Sequence, residues 1–375
     1  MKKVGIIGWR GMVGSILMQR MKSEGDFSKF QPTYFSASAA SMPYVDVCGK
    51  ERTLVDANSI EHLAEMHIVI SCQGSDYTQN IYPRLRAIGW QGYWIDAASA
   101  LRMNTDSVIV LDPVNREQID RALTSGCRNF IGGNCSITLT LLGLAGLFHA
   151  NLIDWMSVMT YQAASGAGAA YVRELLKQIK FLSGAVTDEL ASDKPITALL
   201  DRAQAALVSS MLPLAQFRVP LVGSIISWID SDLGNGSSRE EWKGEVETNK
   251  LLGLNPGSIR VDGLCVRVGV LRCHSAAVTM QLKRDISLAE LETLISSAHE
   301  WVEFVPNTKS ATLERLSPVA FSGSLKVGVG RLKKLSVGRN MYSVFTVGDQ
   351  LLWGAAEPLR RVLNIILEHK SEFFD

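Results

Sequence analysis

Apolar positions along this chain follow two rhythms, and the change falls near residue 150. Before it, short apolar runs end in glycine or small polar residues: KKVGIIG (2–8), PTYFSAS (32–38), HIVISCQG (67–74), GYWIDAAS (92–99), SVIVLDPVN (107–115) and CRNFIGGN (127–134). Short runs of this kind predict strands buried on both faces. Between them, MVGSILMQRM (12–21) places apolar residues at Met12, Val13, Ile16, Leu17 and Met21, a helical period, and YPRLRAIG (82–89) predicts another helix. Strands alternating with helices at this spacing imply a parallel sheet with right-handed crossovers.

Beyond residue 150 the rhythm becomes alternation. DWMSVMTYQAASG (154–166) and GLCVRVGVLRCHSAAVTMQLKR (263–284) interleave apolar with polar or small residues, as half-buried strands do. Helical stretches such as AAYVRELLKQIKFLSG (169–184) lie between them. The polar stretch DSDLGNGSSREEWKGE (230–245) reads as a loop running into a helix. The last segment, DQLLWGAAEPLRRVLNIILEHK (349–370), is helical, interrupted by Pro358, and is expected to pack back on the first domain. The fold class is therefore α/β overall, in two domains. Residues 1–133, completed by a C-terminal helix at 355–375, are expected to form a Rossmann-like domain. Residues 134–354 form an α+β domain with an open, largely antiparallel sheet. A chain of 375 residues suits two cores.

Charge narrows the function. Lys plus Arg number 38 against 37 for Asp plus Glu, a balance that argues against a nucleic-acid or anionic-membrane surface. No apolar run reaches the roughly 18 residues of a membrane span, and the N-terminus lacks the pattern of a signal peptide. The six cysteines form no pair or Cys/His cluster with metal spacing, so no metal is expected, and they read as reduced thiols in a cytoplasmic protein.

The loop GWRGMVG sets Gly8, Gly11 and Gly14 between a predicted strand and a predicted helix. Glycines there let the backbone approach a pyrophosphate at the helix N-terminus. An NAD-binding chain usually carries Asp or Glu after the second strand, to hold the ribose 2′-hydroxyl. Here that strand ends in Ser36, Ala37 and Ser38, and Arg10 lies in the glycine loop. Hydroxyls and an arginine suit a 2′-phosphate, so the sequence favours NADP. A solvated loop charge is the plainer reading of Arg10.

The stretch GGNCSIT (132–138) raises a separate question. A thiol at a helix N-terminus feels the positive end of the dipole, which favours the thiolate. Gly132 and Gly133 permit a crowded turn, and backbone N–H groups with the Asn134 side chain would serve an oxyanion. Cys135 reads equally as a small buried hydrophobe. A nucleophile needs a base, and of six histidines His274 stands apart, in a strand that also carries Arg267 and Arg272. A core-edge histidine with a satisfied hydrogen bond is the commoner case.

The motifs GWRGMVGS (8–15), CQGSDYT (72–78), WIDAAS (94–99) with LRM (101–103), GGNCS (132–136), TYQAASGAG (160–168), SREEWKGE with ETNK (238–250), VDGLCVRVG with LRCHS (261–275) and FTVGDQLLWGAAEPLRR (345–361) occur in one order. Together they resemble the aspartate-semialdehyde dehydrogenases of Gram-negative bacterial type, from Met1 to about Arg361. The resemblance implies reversible reductive dephosphorylation of L-aspartyl 4-phosphate to L-aspartate 4-semialdehyde with NADPH. That step leads to lysine, methionine, threonine, isoleucine and diaminopimelate. It makes Cys135 the nucleophile and His274 the acid/base. Arg267 would grip the substrate carboxylate, Glu240 its ammonium, and Gln162 would line the site. Arg102 and Lys243 would bind phosphate as a cationic pair whose field also favours the thiolate. Gly8, Arg10, Gly11, Met12, Val13, Ala37, Ser38, Gln73, Ser165, Gly166, Ala167, Gly168 and Gln350 fall on cofactor positions. The resemblance also implies a homodimer formed through the second domain, which is then the catalytic and dimerisation domain.

Some readings stay open. Ser237 and Glu240 have capping-box spacing, which alone would explain that glutamate. The turn reads SAS where the family often has STS, and Pro195 is only a candidate for the family's cofactor-contacting proline. Rival functions are another phosphorylating aldehyde dehydrogenase and a catalytically silent NADP-binding regulatory paralogue.

Overall fold

The structure, a computed structural model, describes residues 1–38 and 40–369. The first sheet is laid down by β1 (Lys3–Ile7), β2 (Gln31–Ser36), the hairpin β3 (Pro43–Val45) and β4 (Glu51–Thr53), which stands apart, β5 (Val55–Asp56), β6 (Ile68–Ser71), β7 (Tyr93–Asp96), β8 (Ser107–Val110) and β9 (Asn129–Gly132). Helices α1 (Met12–Ser23), α2 (Ile60–Ala64), α3 (Ser75–Ala87) and α4 (Asp112–Thr124) connect them. The sheet order is β5-β2-β1-β6-β7-β9-β8, parallel throughout. Its central strands β6 and β7 are buried at every residue, as helices on both faces require. The expected strand at 107–115 stops at Val110, because Pro113 opens a helix.

The second half begins with α5 (Cys135–Gly143) and α6 (Ala145–His149), then β10 (Ile153–Gln162). Helices α7 (Ala169–Ala185), α8 (Thr187–Leu190) and α9 (Ile196–Leu207) make an excursion before β11 (Ile225–Ile226), α10 (Arg239–Leu251), β12 (Arg260–Asp262), β13 (Cys265–Val268) and β14 (His274–Leu282). The chain continues through α11 (Leu288–Ser296), β15 (Val302–Val305), α12 (Lys309–Arg315), α13 (Pro318–Phe321), β16 (Val327–Lys334) and β17 (Met341–Gly348). These strands build a mixed sheet, β11-β13-β10-β14-β17-β16-β15, with β12 also on β10. Its long central pairings, β10–β14, β14–β17 and β16–β17, are antiparallel.

Alternation explains this sheet's two faces. On β10, Met156 and Val158 turn into the core, while Met159 and Tyr161 are exposed on the other side. Helix α5, buried on all sides beyond Cys135, packs against β14, β16 and β17. The final helix, α14 (Glu357–Glu368), packs through Leu359, Val362, Leu363 and Ile366 into the first sheet's core, as expected. Pro358 does not interrupt it. A π-helical turn at Leu352–Ala356 precedes α14, and Pro358 lies in the first turn, where its missing N–H costs nothing. Residues 370–375 of the expected C-terminal helix lie outside the described residues.

Candidate active site

Strand β9 delivers the chain to Gly133, where a Cβ would lie 2.7 Å from the Thr138 hydroxyl, and the backbone turns into α5. Asn134 caps that helix: its Oδ1 accepts the N–H groups of Ser136 (3.0 Å) and Ile137 (3.1 Å). Cys135 is thus the first helical residue. It lines a cavity of about 590 Å³ with Arg102, Gln162, Glu240, Lys243 and Arg267. Burial, then the charge of Glu240, pushes the thiol up to about 11, against Arg267, Arg102 and Lys243. The expected thiolate-favouring field is therefore outweighed, and the thiol is the form present at neutral pH.

His274 opens β14 directly after Cys273, whose φ of 77° is left-handed. That backbone costs a residue with a Cβ roughly 1–2 kcal/mol. Gln350 secures it: its Oε1 accepts the Cys273 N–H at 2.8 Å, while its Nε2 donates to the Ser165 hydroxyl. The His274 ring accepts the Ala163 N–H at Nδ1 (3.1 Å), so the neutral ring carries its proton on Nε2. Nε2 is buried without a hydrogen-bond partner. Burial, then Arg267, drives the imidazole down to about 3, so it is neutral at physiological pH.

The strand read through 263–284 breaks in two, and β13 and β14 flank β10 on opposite sides. Arg267 pairs in register with Gln162, and its Nη1 donates to the Ala163 carbonyl (2.9 Å) and Gln162 Oε1 (3.3 Å). It is buried, and among the described residues no carboxylate pairs with it. Gly166 joins the two groups. A Cβ there would lie 2.8 Å from both Arg267 Nη1 and His274 Nε2, and Gly166 itself lines the cavity.

Helix α10 supplies the rest. Its capping box is Ser238 with Glu241, one residue on from the Ser237–Glu240 spacing, and this leaves Glu240 to the site. Glu240 accepts from Asn134 Nδ2 (2.8 Å), Gln162 Nε2 (3.1 Å) and Lys243 Nζ (3.0 Å). Burial raises its pKa, but Lys243 and the Asn134 and Gln162 bonds outweigh that and hold it below the usual range. One Asn134 side-chain hydrogen is therefore committed to Glu240, and only the other is left for the expected oxyanion role.

Arg102 and Lys243 are not the bare cationic pair expected. Arg102 donates through Nε to the Gly132 carbonyl and through Nη1 to Glu247, both at 2.8 Å. Lys243 pairs with Asp230 at 2.6 Å as well as with Glu240. Two cations thus meet three carboxylates. Sequence reasoning missed Asp230 and Glu247. For Glu247 a signal existed, since Glu240, Lys243 and Glu247 share one helical face at i, i+3 and i+7. Asp230 sits in a loop at φ 73° and carries none.

Of the remaining positions, Gly8, Ala37, Ser38 and Gln73 follow the carboxyl ends of β1, β2 and β6, where an α/β sheet binds its ligand. Gly8, at φ 72°, would set a Cβ 2.7 Å from the Cys72 backbone and 2.9 Å from the Gln73 nitrogen, and Gly14 one 2.2 Å from the Gly8 carbonyl oxygen. Both glycines are required for the turn to close. Gly11 caps α1, so Met12 and Val13 belong to the first turn, whose N–H groups lack intrahelical acceptors. Arg10 is exposed and stacked, its guanidinium 4.6 Å from the Trp9 ring and 5.9 Å from that of Tyr44. Ala37 and Ser38 follow the end of β2, where the Ser38 N–H donates to Ser36 Oγ. Val13, Ser165, Gly166, Ala167 and Gln350 line the cavity of Cys135, and Gly168 caps α7 beside it. Pro195 caps α9 and does not line the cavity.

Two family models match the chain: semialdehyde dehydrogenase, NAD binding domain, over 3–122, and semialdehyde dehydrogenase, dimerisation domain, over 144–353. Among solved structures, aspartate semialdehyde dehydrogenase from Francisella tularensis is 45% identical with a TM-score of 0.94, over 98% of this chain and 100% of that one. Aspartate semialdehyde dehydrogenase II from Vibrio cholerae, complexed with ASA, is 22% identical at a TM-score of 0.76, over 99% of each chain. The Candida albicans aspartate semialdehyde dehydrogenase with NADP is 16% identical at 0.65, over 98% of each. These two share the fold. The chain belongs to the semialdehyde dehydrogenase family, among its aspartate-semialdehyde dehydrogenases.

Proposed function

We propose that this chain converts L-aspartyl 4-phosphate reversibly to L-aspartate 4-semialdehyde, with NADP as cofactor and a thioester on Cys135. The observation that carries the reading is the convergence at Gly166: an unpartnered imidazole N–H and a guanidinium with no paired carboxylate among the described residues, beside a cavity that a thiol lines.

In the biosynthetic direction, Cys135 loses its thiol proton, its sulfur attacks the acyl carbon, the carbon–oxygen bond to phosphate breaks, and the departing phosphate carries the proton away as the thioester forms. NADPH, when bound, would supply the hydride that reduces this thioester, and the carbon–sulfur bond then breaks to release the semialdehyde and, on taking up a proton, the thiol. The neutral His274 ring presents Nε2–H to the substrate oxygen as charge gathers there. To accept a proton at that nitrogen the ring must adopt the Nδ1–H tautomer and give up its bond from Ala163. Acid/base work by His274 therefore includes a tautomer exchange. Arg267 holds the substrate carboxylate, Glu240 its ammonium, and Arg102 with Lys243 the phosphate. Arriving phosphate competes with Asp230 for Lys243, while Arg102 offers the hydrogens not already engaged.

The residues fit NADP. Gly8 and Gly14 have no room for side chains, no acid follows β2, and Arg10, held over Trp9, would serve as a donor to a 2′-phosphate. The division expected from sequence, nucleotide unit 1–133 with the C-terminal helix and catalytic unit 134–354, follows the two sheets. A homodimer formed through the exposed face of the second sheet suits the apolar Met159 and Tyr161 there. Six free cysteines suit a reducing, cytoplasmic setting. Among the described residues no helix is long and apolar enough to cross a membrane. The test is NADPH formation from aspartate semialdehyde, with and without phosphate. Sustained turnover only with phosphate supports the reading, and turnover indifferent to phosphate overturns it.

A further inference from the structure

Of the three charged residues on the inner face of α10, Glu247 alone has no role in the chemistry above. It is 2% exposed and does not line the cavity. A carboxylate so buried needs strong partners, since its desolvation is costly. It has two, and both belong to the site. Oε1 accepts from Arg102 Nη1 at 2.8 Å, and Oε2 accepts from the backbone N–H of Asn134 at 2.6 Å.

The geometry at each end is restrictive. With Nε on the Gly132 carbonyl and Nη1 on Glu247, the Arg102 guanidinium is pinned at two of its three nitrogens, and its Nη2 hydrogens are left for an anion. At the other end, Asn134 is the cap of α5, and its side chain already holds the Ser136 and Ile137 N–H groups. Pinning its backbone N–H as well fixes the peptide that leads into Cys135. One carboxylate thus ties an arginine of the first half of the chain to the turn that carries the thiol.

We infer that Glu247 is a positioning residue for the phosphate step, setting Arg102 and the Asn134–Cys135 turn in one frame so that bound phosphate meets the acyl carbon on sulfur. This rests on the reading of Arg102 as phosphate-binding. Glu247→Gln keeps the shape but sets an amide N–H against one of two donors. It is expected to raise the phosphate KM about tenfold, within the range of coupling between contacting residues, while the NADP KM stays within about twofold.

A purely structural glutamate would act independently of Arg102, so a double-mutant cycle separates the cases. Phosphate and NADP KM are measured for the parent, Glu247→Gln, Arg102→Leu and the double variant. The expected result is that the double variant has the phosphate KM of Arg102→Leu alone. Multiplying effects, or a parent-like phosphate KM in Glu247→Gln, would overturn the inference. If Arg102→Leu itself leaves the phosphate KM unchanged, the phosphate site is elsewhere and the inference falls with it. Should Glu247→Gln not fold, Glu247→Asp replaces it under the same criteria: it keeps the charge and shortens the reach, and a folded variant with parent-like phosphate KM again overturns the proposal.

Discussion

A protonated thiol at Cys135 and a neutral imidazole at His274 set the pH behaviour of the site. With the thiol raised to about 11 by burial and Glu240, only the small thiolate fraction reacts at neutral pH. Alkylation of Cys135 by iodoacetamide is therefore expected to quicken about tenfold per pH unit through the neutral range. A plateau by pH 8 would show that the site lowers the thiol instead. Arg267 is a second residue-level test. Its Nη1 is spent on Ala163 and Gln162, and a planar fork is needed to reach past them to a carboxylate. Arg267→Lys keeps the charge, loses the fork, and is expected to raise the semialdehyde KM roughly tenfold or more, with the NADP KM unmoved. Equal kinetic constants would make the arginine structural. Cys135, His274 and Arg267 were singled out through the family motifs that hold them, since local sequence left the cysteine an even choice and the histidine a core-edge residue. The partner of Arg102 was not: Glu247 meets it across 145 residues, and nothing in a single sequence links the two.

At the scale of elements, the glycine turn was legible because its chemistry is local. Gly8 and Gly14 are the positions where a side chain would strike backbone. The capping box of α10 was misread by one residue, since SSREE offers two registers. The choice falls to tertiary contacts, the Asp232–Ser238 bridge and the Cys265 N–H on Glu241. The break between β13 and β14 was hidden for a similar reason. It depends on a left-handed Cys273 held by a glutamine far along the chain, and no residue type announces it. Gly166 is where the elements meet, exposed on one side and tight against the buried His274 ring and Arg267 on the other. Gly166→Ala is expected to displace those two side chains and lower kcat/KM for the semialdehyde about a hundredfold, the scale of a misplaced catalytic group. Parent-like kinetics would place the substrate elsewhere.

For the whole molecule, the two apolar rhythms did forecast two sheets and the return of the last helix. The mixed pairing at β10, parallel to β13 and antiparallel to β14, could not be read from alternation, which is the same in both. The open face of that sheet runs through Met159, Tyr161 and Leu264 to Trp242, all exposed, and borders a groove of about 850 Å³. Trp242 lies on α10 between Glu240 and Lys243, so a partner seated there would brace the helix that carries the substrate groups. Light scattering at micromolar concentration is expected to give twice the 41.0 kDa chain mass, and Trp242→Asp to lower both that mass and the activity. A monomeric parent would contradict the dimer. The central claim is the thioester on Cys135, and one measurement reaches it directly. The enzyme is mixed with aspartate semialdehyde and NADP, without phosphate, and NADPH is followed while the Cys135 peptide is analysed by mass spectrometry. The expected result is a burst of one NADPH per chain that then stalls, with an acyl group on Cys135 that phosphate releases. No burst and an unmodified Cys135, or undiminished turnover by Cys135→Ala, would contradict it.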